Sequence, residues 1–248
     1  MVKVRILGIS GTVVKDGNCD KLLQEALKAA AEVGDVETEF ITLADKEIAM
    51  CKHCQWCIEN YAPCKIMDDA HMVFDRMREA DGIIFAAPTW DNTLSPPLIN
   101  LFSRRRYFSF FTHDLRNKVA GAVTLGWFRN YGMDQALDTI ENLVKNSMIA
   151  VARGSAISST AAFGQRAAWM EQGVVDDVYG VRMVRNVGYR VVEVARMIKY
   201  AAEAGIGVPD KYSLSPVGAR IRQVEEKVFV EGVWRERTEN DGGMECKA

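Results

Sequence analysis

The chain has no strong charge excess of either sign: 31 Lys and Arg face 33 Asp and Glu, for a net charge of -2. That balance argues against a nucleic-acid partner, because a phosphate backbone is held by a clustered cationic surface. The one dense basic run, Arg104-Arg105-Arg106, is short. No apolar run approaches the roughly 18 residues needed to span a bilayer, so no membrane segment is expected. MVKVRILGIS opens without a basic leader, a long apolar stretch or a small-residue cleavage site. The sequence therefore reads as cytoplasmic, where structural disulfides are disfavoured. Internal repeats and low-complexity tracts are also lacking. So are the GxGxxG dinucleotide fingerprint and the lysine-bearing P-loop.

What is present is an alternation of strands and helices over 248 residues. Strands are expected at Val2–Ile9, Val36–Leu43, Gly82–Ala87, Lys118–Leu125 and Met148–Val151. Helices are expected at Asn18–Val33 (with Asn18 as N-cap), Asp68–Glu79, Pro96–Tyr107, Gly132–Val144 and Val181–Ala204. Asp68 and Asp69 read as acids at a helix N-terminus. Such alternation implies parallel strands joined by right-handed crossovers. The expected fold class is α/β, a flavodoxin-like doubly wound five-stranded parallel sheet with a cysteine-rich loop and a C-terminal extension. Residues 1–205 would form the main domain, with the loop 48–67 inserted and 206–248 as the extension. The stretch from Arg153 to Tyr179 has no place in a minimal version of this fold.

Ligands of doubly wound sheets bind beyond the carboxyl ends of the strands. Three loops lie there. The first, GISGTVVKDGNCDKLL, follows strand one and opens a helix. Ser10, Thr12 and Asn18 supply side-chain donors, with Cys19 and Asp20 in the following turn, and free backbone N–H groups add an anion cradle. A flavin monophosphate fits better there than a dinucleotide or a nucleoside triphosphate; the competing reading is a polar turn before a helix. The second loop brings Pro88, Thr89, Trp90, Asp91 and Asn92, and the third brings Gly126, Trp127, Arg129 and Asn130. A tryptophan in each suits the face of an isoalloxazine ring.

CKHCQWCIENYAPC places Cys51, Cys54, Cys57 and Cys64 within fourteen residues. C-x2-C-x2-C lets each thiolate take one iron of a cubane, and Cys64 is the natural local fourth ligand because no second cysteine run exists. A single [4Fe-4S] cluster is the leading reading. Zinc and redox-active thiols remain the alternatives, although zinc sites ordinarily use two separated knuckles. His53 and Trp56, between these cysteines, read as shielding or loop residues.

Gly8-Ile9-Ser10 with Gly17-Asn18-Cys19-Asp20-Lys21-Leu22-Leu23, DDAHMVFDRMREADGIIFAAPTW (residues 68–90), and Arg129-Asn130-Tyr131-Gly132 together resemble the loops of the NAD(P)H-dependent FMN reductase superfamily. With four cysteines just before the DD helix, the chain is similar to the iron–sulfur flavoproteins of that superfamily. The family's Pro-Arg is Gly11-Thr12 here, which leaves Lys15 as the candidate counter-charge to a phosphate. The resemblance implies FMN and a [4Fe-4S] cluster in an electron-transfer oxidoreductase working between one-electron carriers and two-electron acceptors. It also implies a homodimer or homotetramer, supplied by a ferredoxin-like donor or NAD(P)H. Two other functions compete: an NAD(P)H-dependent FMN or quinone reductase whose cysteines are structural or hold zinc, and a non-catalytic cluster-based redox sensor.

Overall fold

A computed structural model describes residues 2–127, 132–158 and 170–207, together with the backbone of 227–230 and 233–236. An inner strand of its sheet is β1 (Val4–Ser10), whose residues are buried on both faces, as a strand covered on both sides requires. It pairs in parallel with β2 (Val36–Thr42) on one side and β3 (Gly82–Trp90) on the other. Parallel pairing continues to β5 (Val119–Gly126) and β6 (Ile149–Ile157), giving the order β2-β1-β3-β5-β6. Strand order reverses between β1 and β3, and that crevice is where doubly wound sheets bind ligands.

The five parallel strands stand as expected, and a sixth joins them. β4 (Thr93–Leu94) folds back antiparallel on the end of β3, pairing Thr89 with Leu94 and Trp90 with Thr93. The turn is made by Asp91 and Asn92 at φ 41° and 64°, the left-handed pair that a two-residue hairpin demands and that Asp and Asn tolerate best. β3 therefore runs three residues beyond the expected Ala87, and the second loop is a hairpin.

Two helices cover one face. α1 (Asn18–Glu32) places Leu22, Leu23, Ala26 and Leu27 beside Val184, Val187, Val191 and Val192 of α6 (Val178–Glu203), over Ile6, Ile84 and Val123. Gly188 makes the close approach possible: a Cβ there would stand 2.2 Å from Ala26 O. The opposite face carries α3 (Ala70–Glu79), α4 (Pro96–Ser103) and α5 (Met133–Val144), which bury Phe74, Met77, Leu98, Leu101, Leu137 and Ile140 over Leu7, Ile9, Ile83 and Phe85.

Several expected boundaries shift. The N-cap of α1 is Gly17; Asn18 is the first helical residue because its side chain is engaged elsewhere. α4 stops at Ser103 instead of Tyr107, where Arg104 turns inward, and a π-helical turn follows at Phe108–Thr112. β6 reaches Ile157, absorbing the first residues of the stretch that had no expected place; a register shift lies opposite Ala120/Gly121. α6 begins at Val178, where Asp177 caps it by accepting from Gly180 N at 3.1 Å. In the C-terminal extension, β7 (Lys227–Val230) and β8 (Val233–Glu236) form an antiparallel pair. Among the described residues no helix is long and apolar enough to cross a membrane.

Candidate functional site

Beyond Ser10 the chain is tied down at once. Gly11 N donates to Ala86 O at 2.6 Å, and Ser95 Oγ donates to Gly11 O. A Cβ on Gly11 would stand 2.7 Å from that of Leu98, so the loop lies flush against the start of α4. Ser10 Oγ donates to Cys19 Sγ at 3.3 Å, both residues buried. Thr12 Oγ1 accepts from Val14 N at 3.1 Å, and Asp20 Oδ2 from Asp16 N at 2.8 Å; Asp20 Oδ1 is buried with no partner. Asn18 Oδ1 accepts from Val174 N at 3.1 Å. Ser10, Thr12 and Asp20 thus close the loop on itself, and Asn18 ties it to the turn before α6. No side chain caps α1, so its first-turn N–H groups keep the anion-binding character of a helix N-terminus. Lys15 pairs with Asp45 at 2.9 Å, tying the loop to the turn after β2.

The second and third loops meet at the same edge. Gly132, at φ 72°, sits so close to the hairpin tip that a Cβ would lie 2.5 Å from Asn92 Cα and 2.8 Å from Thr89 Cγ2. Thr124 Oγ1 donates to Ala87 O at 2.8 Å and lies 3.3 Å from Thr89 Oγ1, joining β5 to β3 under the tip. Pro88 stands opposite Leu125, and Gly126 O accepts from Ser158 N at 2.8 Å. Trp90 and Trp127 are 45% and 44% exposed, large aromatic faces open beside the crevice. Arg129 and Asn130 lie outside the described residues.

The cysteine loop occupies the other end of α4. It leaves β2 through a short 3-10 turn, includes the four-residue α2 (Trp56–Glu59), and enters α3. His53, Gln55 and Tyr61 all have positive φ, between 51° and 60°, a conformation that costs a residue with a Cβ free energy and clusters at ligand sites. Cys51 N donates to Ser103 Oγ at 3.1 Å, His53 N to Cys51 Sγ at 3.4 Å, and Arg106 to Gln55 Oε1 at 3.0 Å. Tyr61 packs edge-on against Phe111 with ring centroids 5.3 Å apart, so aromatic side chains floor the loop.

Arg104 holds both stems. Its side chain is 1% exposed; Nη1 donates to Ala49 O at 3.0 Å and to Asp68 Oδ2 at 2.6 Å, and Nη2 donates to Ile66 O at 2.7 Å. Asp68 also accepts from Ala49 N and Ala70 N, and Asp69 from Glu47 N. Burial works against the Asp68 carboxylate, yet Arg104 and these backbone donors outweigh it and hold its pKa below the ordinary value. The acids thus mark the helix start, as expected, and also fasten the loop. In the sequence the run Arg104-Arg105-Arg106 is only a short basic stretch; arginine sequence alone carries no signal for a buried clamp.

The donor set fits a metal cluster. Cys57 is pushed up by burial and then by the neighbouring sulfurs of Cys64 and Cys51, with Arg106 opposing. A thiol whose ionisation is opposed by burial and by neighbouring sulfurs is one that a metal relieves, by replacing its proton. Cys64 and Arg104 line one small cavity, and the buried Arg104 Nε–H has no hydrogen-bond partner. Cys54 is exposed. Among the described residues no three ligand side chains converge on a single-ion point. In a cubane each thiolate takes its own iron, so its ligands stand around a volume.

The sheet order and the loops at its carboxyl edge define a flavodoxin-like protein. Solved structures agree on the fold: RosB with its bound intermediate superposes with a TM-score of 0.65 at 17% identity, covering 98% of this chain and 95% of that one. A flavodoxin, WrbA-like protein from Agrobacterium tumefaciens gives 0.51 at 15%, covering 79% and 99%. Residues 4–162 match the family model described as NADPH-dependent FMN reductase, and the chain belongs to that family. It is a flavin-dependent oxidoreductase whose family cofactor is FMN. Among its relatives, an iron–sulfur flavoprotein of Methanocaldococcus jannaschii is 39% identical over 79% of this chain and 100% of its own length. Another from Archaeoglobus fulgidus is 31% identical over 76% and 95%, and one from Methanosarcina thermophila is 36% identical over 56% and 72%.

Proposed function

We propose that the chain is an iron–sulfur flavoprotein that exchanges electrons between one-electron carriers of ferredoxin type and two-electron acceptors. FMN would lie along the C-terminal edge of the sheet. Its phosphate would meet the uncapped start of α1, where Ser10, Thr12, Asn18, Cys19 and Asp20 shape the cradle. Its ring would meet Pro88, Thr89, Trp90, Asp91 and Asn92 of the hairpin, and Gly126, Trp127, Arg129 and Asn130 of the third loop. Cys51, Cys54, Cys57 and Cys64 would hold one [4Fe-4S] cluster. When bound, the cluster supplies single electrons and the flavin accepts one or two. The protein's part is to hold the thiolates, shelter them on an aromatic floor and fix both sites on one helix.

The observation that carries this reading is the cysteine loop: Cys57 beside the sulfurs of Cys64 and Cys51, in a backbone clamped at both stems and bonded to the end of α4. The relatives' shared name supports it. A homodimer or homotetramer is the proposed assembly, with a ferredoxin-like protein or NAD(P)H as the donor and the cytoplasm as the compartment.

Anaerobically purified protein is expected to hold flavin with about four iron and four sulfide per chain. Stopped-flow reduction by ferredoxin and by NADPH, on wild type and on Cys51→Ala, then tests the electron path. The variant is expected to keep FMN and to lose ferredoxin-driven turnover. Rapid NADPH reduction with wild-type turnover in Cys51→Ala would instead establish a plain flavin reductase.

A further inference from the structure

We infer that Arg104 is a positioning residue for the cluster: its guanidinium locks both stems of the cysteine loop and presents its Nε–H to the sulfur side of the site, so that Arg104 and Asp68 together set the cluster's reduction potential. The inference rests on the cluster reading above and extends it to residues outside the cysteine motif.

The geometry is specific. A guanidinium has five donors in a rigid plane. Here three bonds from Nη1 and Nη2 reach Ala49 O, Asp68 Oδ2 and Ile66 O, at either end of the loop. The Nε–H is buried with no partner by geometry, and Cys64 lines the same small cavity as Arg104. A buried donor without an acceptor is costly, because it has given up its hydrogen bond to water. Retaining one beside Cys64 points to a charged sulfur as its acceptor. Cluster-bound thiolate and sulfide are anionic acceptors, and hydrogen bonds to cluster sulfur raise the reduction potential by stabilising the more negative, reduced state.

Asp68 acts in the opposite sense. It pairs with Arg104 at 2.6 Å and cancels part of its field. The two residues therefore pull the potential in opposite directions while both fasten the same stems. A purely structural role would not separate them.

The test uses anaerobically prepared holoprotein and an EPR-monitored redox titration of wild type, Arg104→Gln, Arg104→Lys and Asp68→Asn. Iron release to a chelator and flavin content are measured in parallel. Arg104→Gln is expected to shift the potential downward and to release iron roughly tenfold faster or more, in line with the loss of a charge-assisted bond. Asp68→Asn is expected to shift the potential upward. Arg104→Lys is expected to fall on the Gln side, because a single ammonium cannot reach both stems and the sulfur at once. Should Arg104→Gln fail to fold, the Asp68→Asn and Arg104→Lys shifts still decide. Unchanged potentials, or shifts of one sign in all three variants, would overturn the inference while leaving the cluster reading intact. A wild-type protein that holds flavin but no iron would overturn the cluster reading itself.

Discussion

Cys19 and Cys57 are both thiols whose pKa is pushed up by burial, yet their neighbours give them different chemistry. Cys57 faces other sulfurs; Cys19 faces the Ser10 hydroxyl in the core and is raised from 9.0 to about 12. The folded chain therefore keeps the Cys19 proton at pH values where the unfolded chain gives it up. Its contribution to stability is intact below pH 9.0 and is lost as pH rises towards about 12, at roughly 1.4 kcal/mol per pH unit. Denaturant titrations between pH 8 and 11 should show wild type losing stability more steeply than Cys19→Ala. Parallel curves would place the Cys19 titration elsewhere. At this scale the sequence was a partial guide. The four clustered cysteines announced themselves by spacing. Asn18 looked like a cap and a ligand, but only the folded chain brings Val174, 156 residues away, to its side chain. Arg104 was equally illegible, because its partners lie on two stems that are distant from it in sequence.

Among the elements, the parallel strands were readable because each is a short apolar run between turn residues. The hairpin after β3 was missed although its signal was present: Asp91-Asn92 between Thr89-Trp90 and Thr93-Leu94 is a two-residue turn with strand on either side. Boundaries slipped where tertiary contacts decide them, as at the end of α4. Gly188 shows the same dependence, since nothing in its local sequence reveals that α1 crosses there. Gly188→Ala should cost about 1–3 kcal/mol by forcing α6 away from Ala26 O. Thermal denaturation measures this, and a melting temperature equal to wild type would show that the crossing can relax. Gly132→Ala should chiefly disturb function. Its φ of 72° and its contact with Asn92 mean that a methyl group would part the third loop from the hairpin. Weaker FMN binding in apo-protein titrations is the expected result, with the melting temperature of the sheet little changed.

The whole molecule divides its labour. The sheet is buried between two helical layers and owes nothing to the four cysteines of the loop, whereas the loop 48–67 has few apolar anchors beyond its aromatic floor. In the proposed holoprotein, removing iron should therefore leave β1, β3 and β5 protected from hydrogen exchange while amides of the cysteine loop exchange faster. If the sheet also loses protection, the metal site is part of the global fold.

α4 reaches from Pro96, next to the Ser95 bond to Gly11, to Ser103, which anchors Cys51. Eight residues at 1.5 Å each make a strut of about 12 Å. One inserted residue would lengthen it by about 1.5 Å and swing Arg104 by about 100° around the axis, off both stems. Residues added between Cys57 and Cys64 change only the girth of a loop. Natural variation in such proteins is thus expected to be asymmetric: elastic in the spacing of the last two cysteines, and inelastic in the length of the helix that spans the two sites.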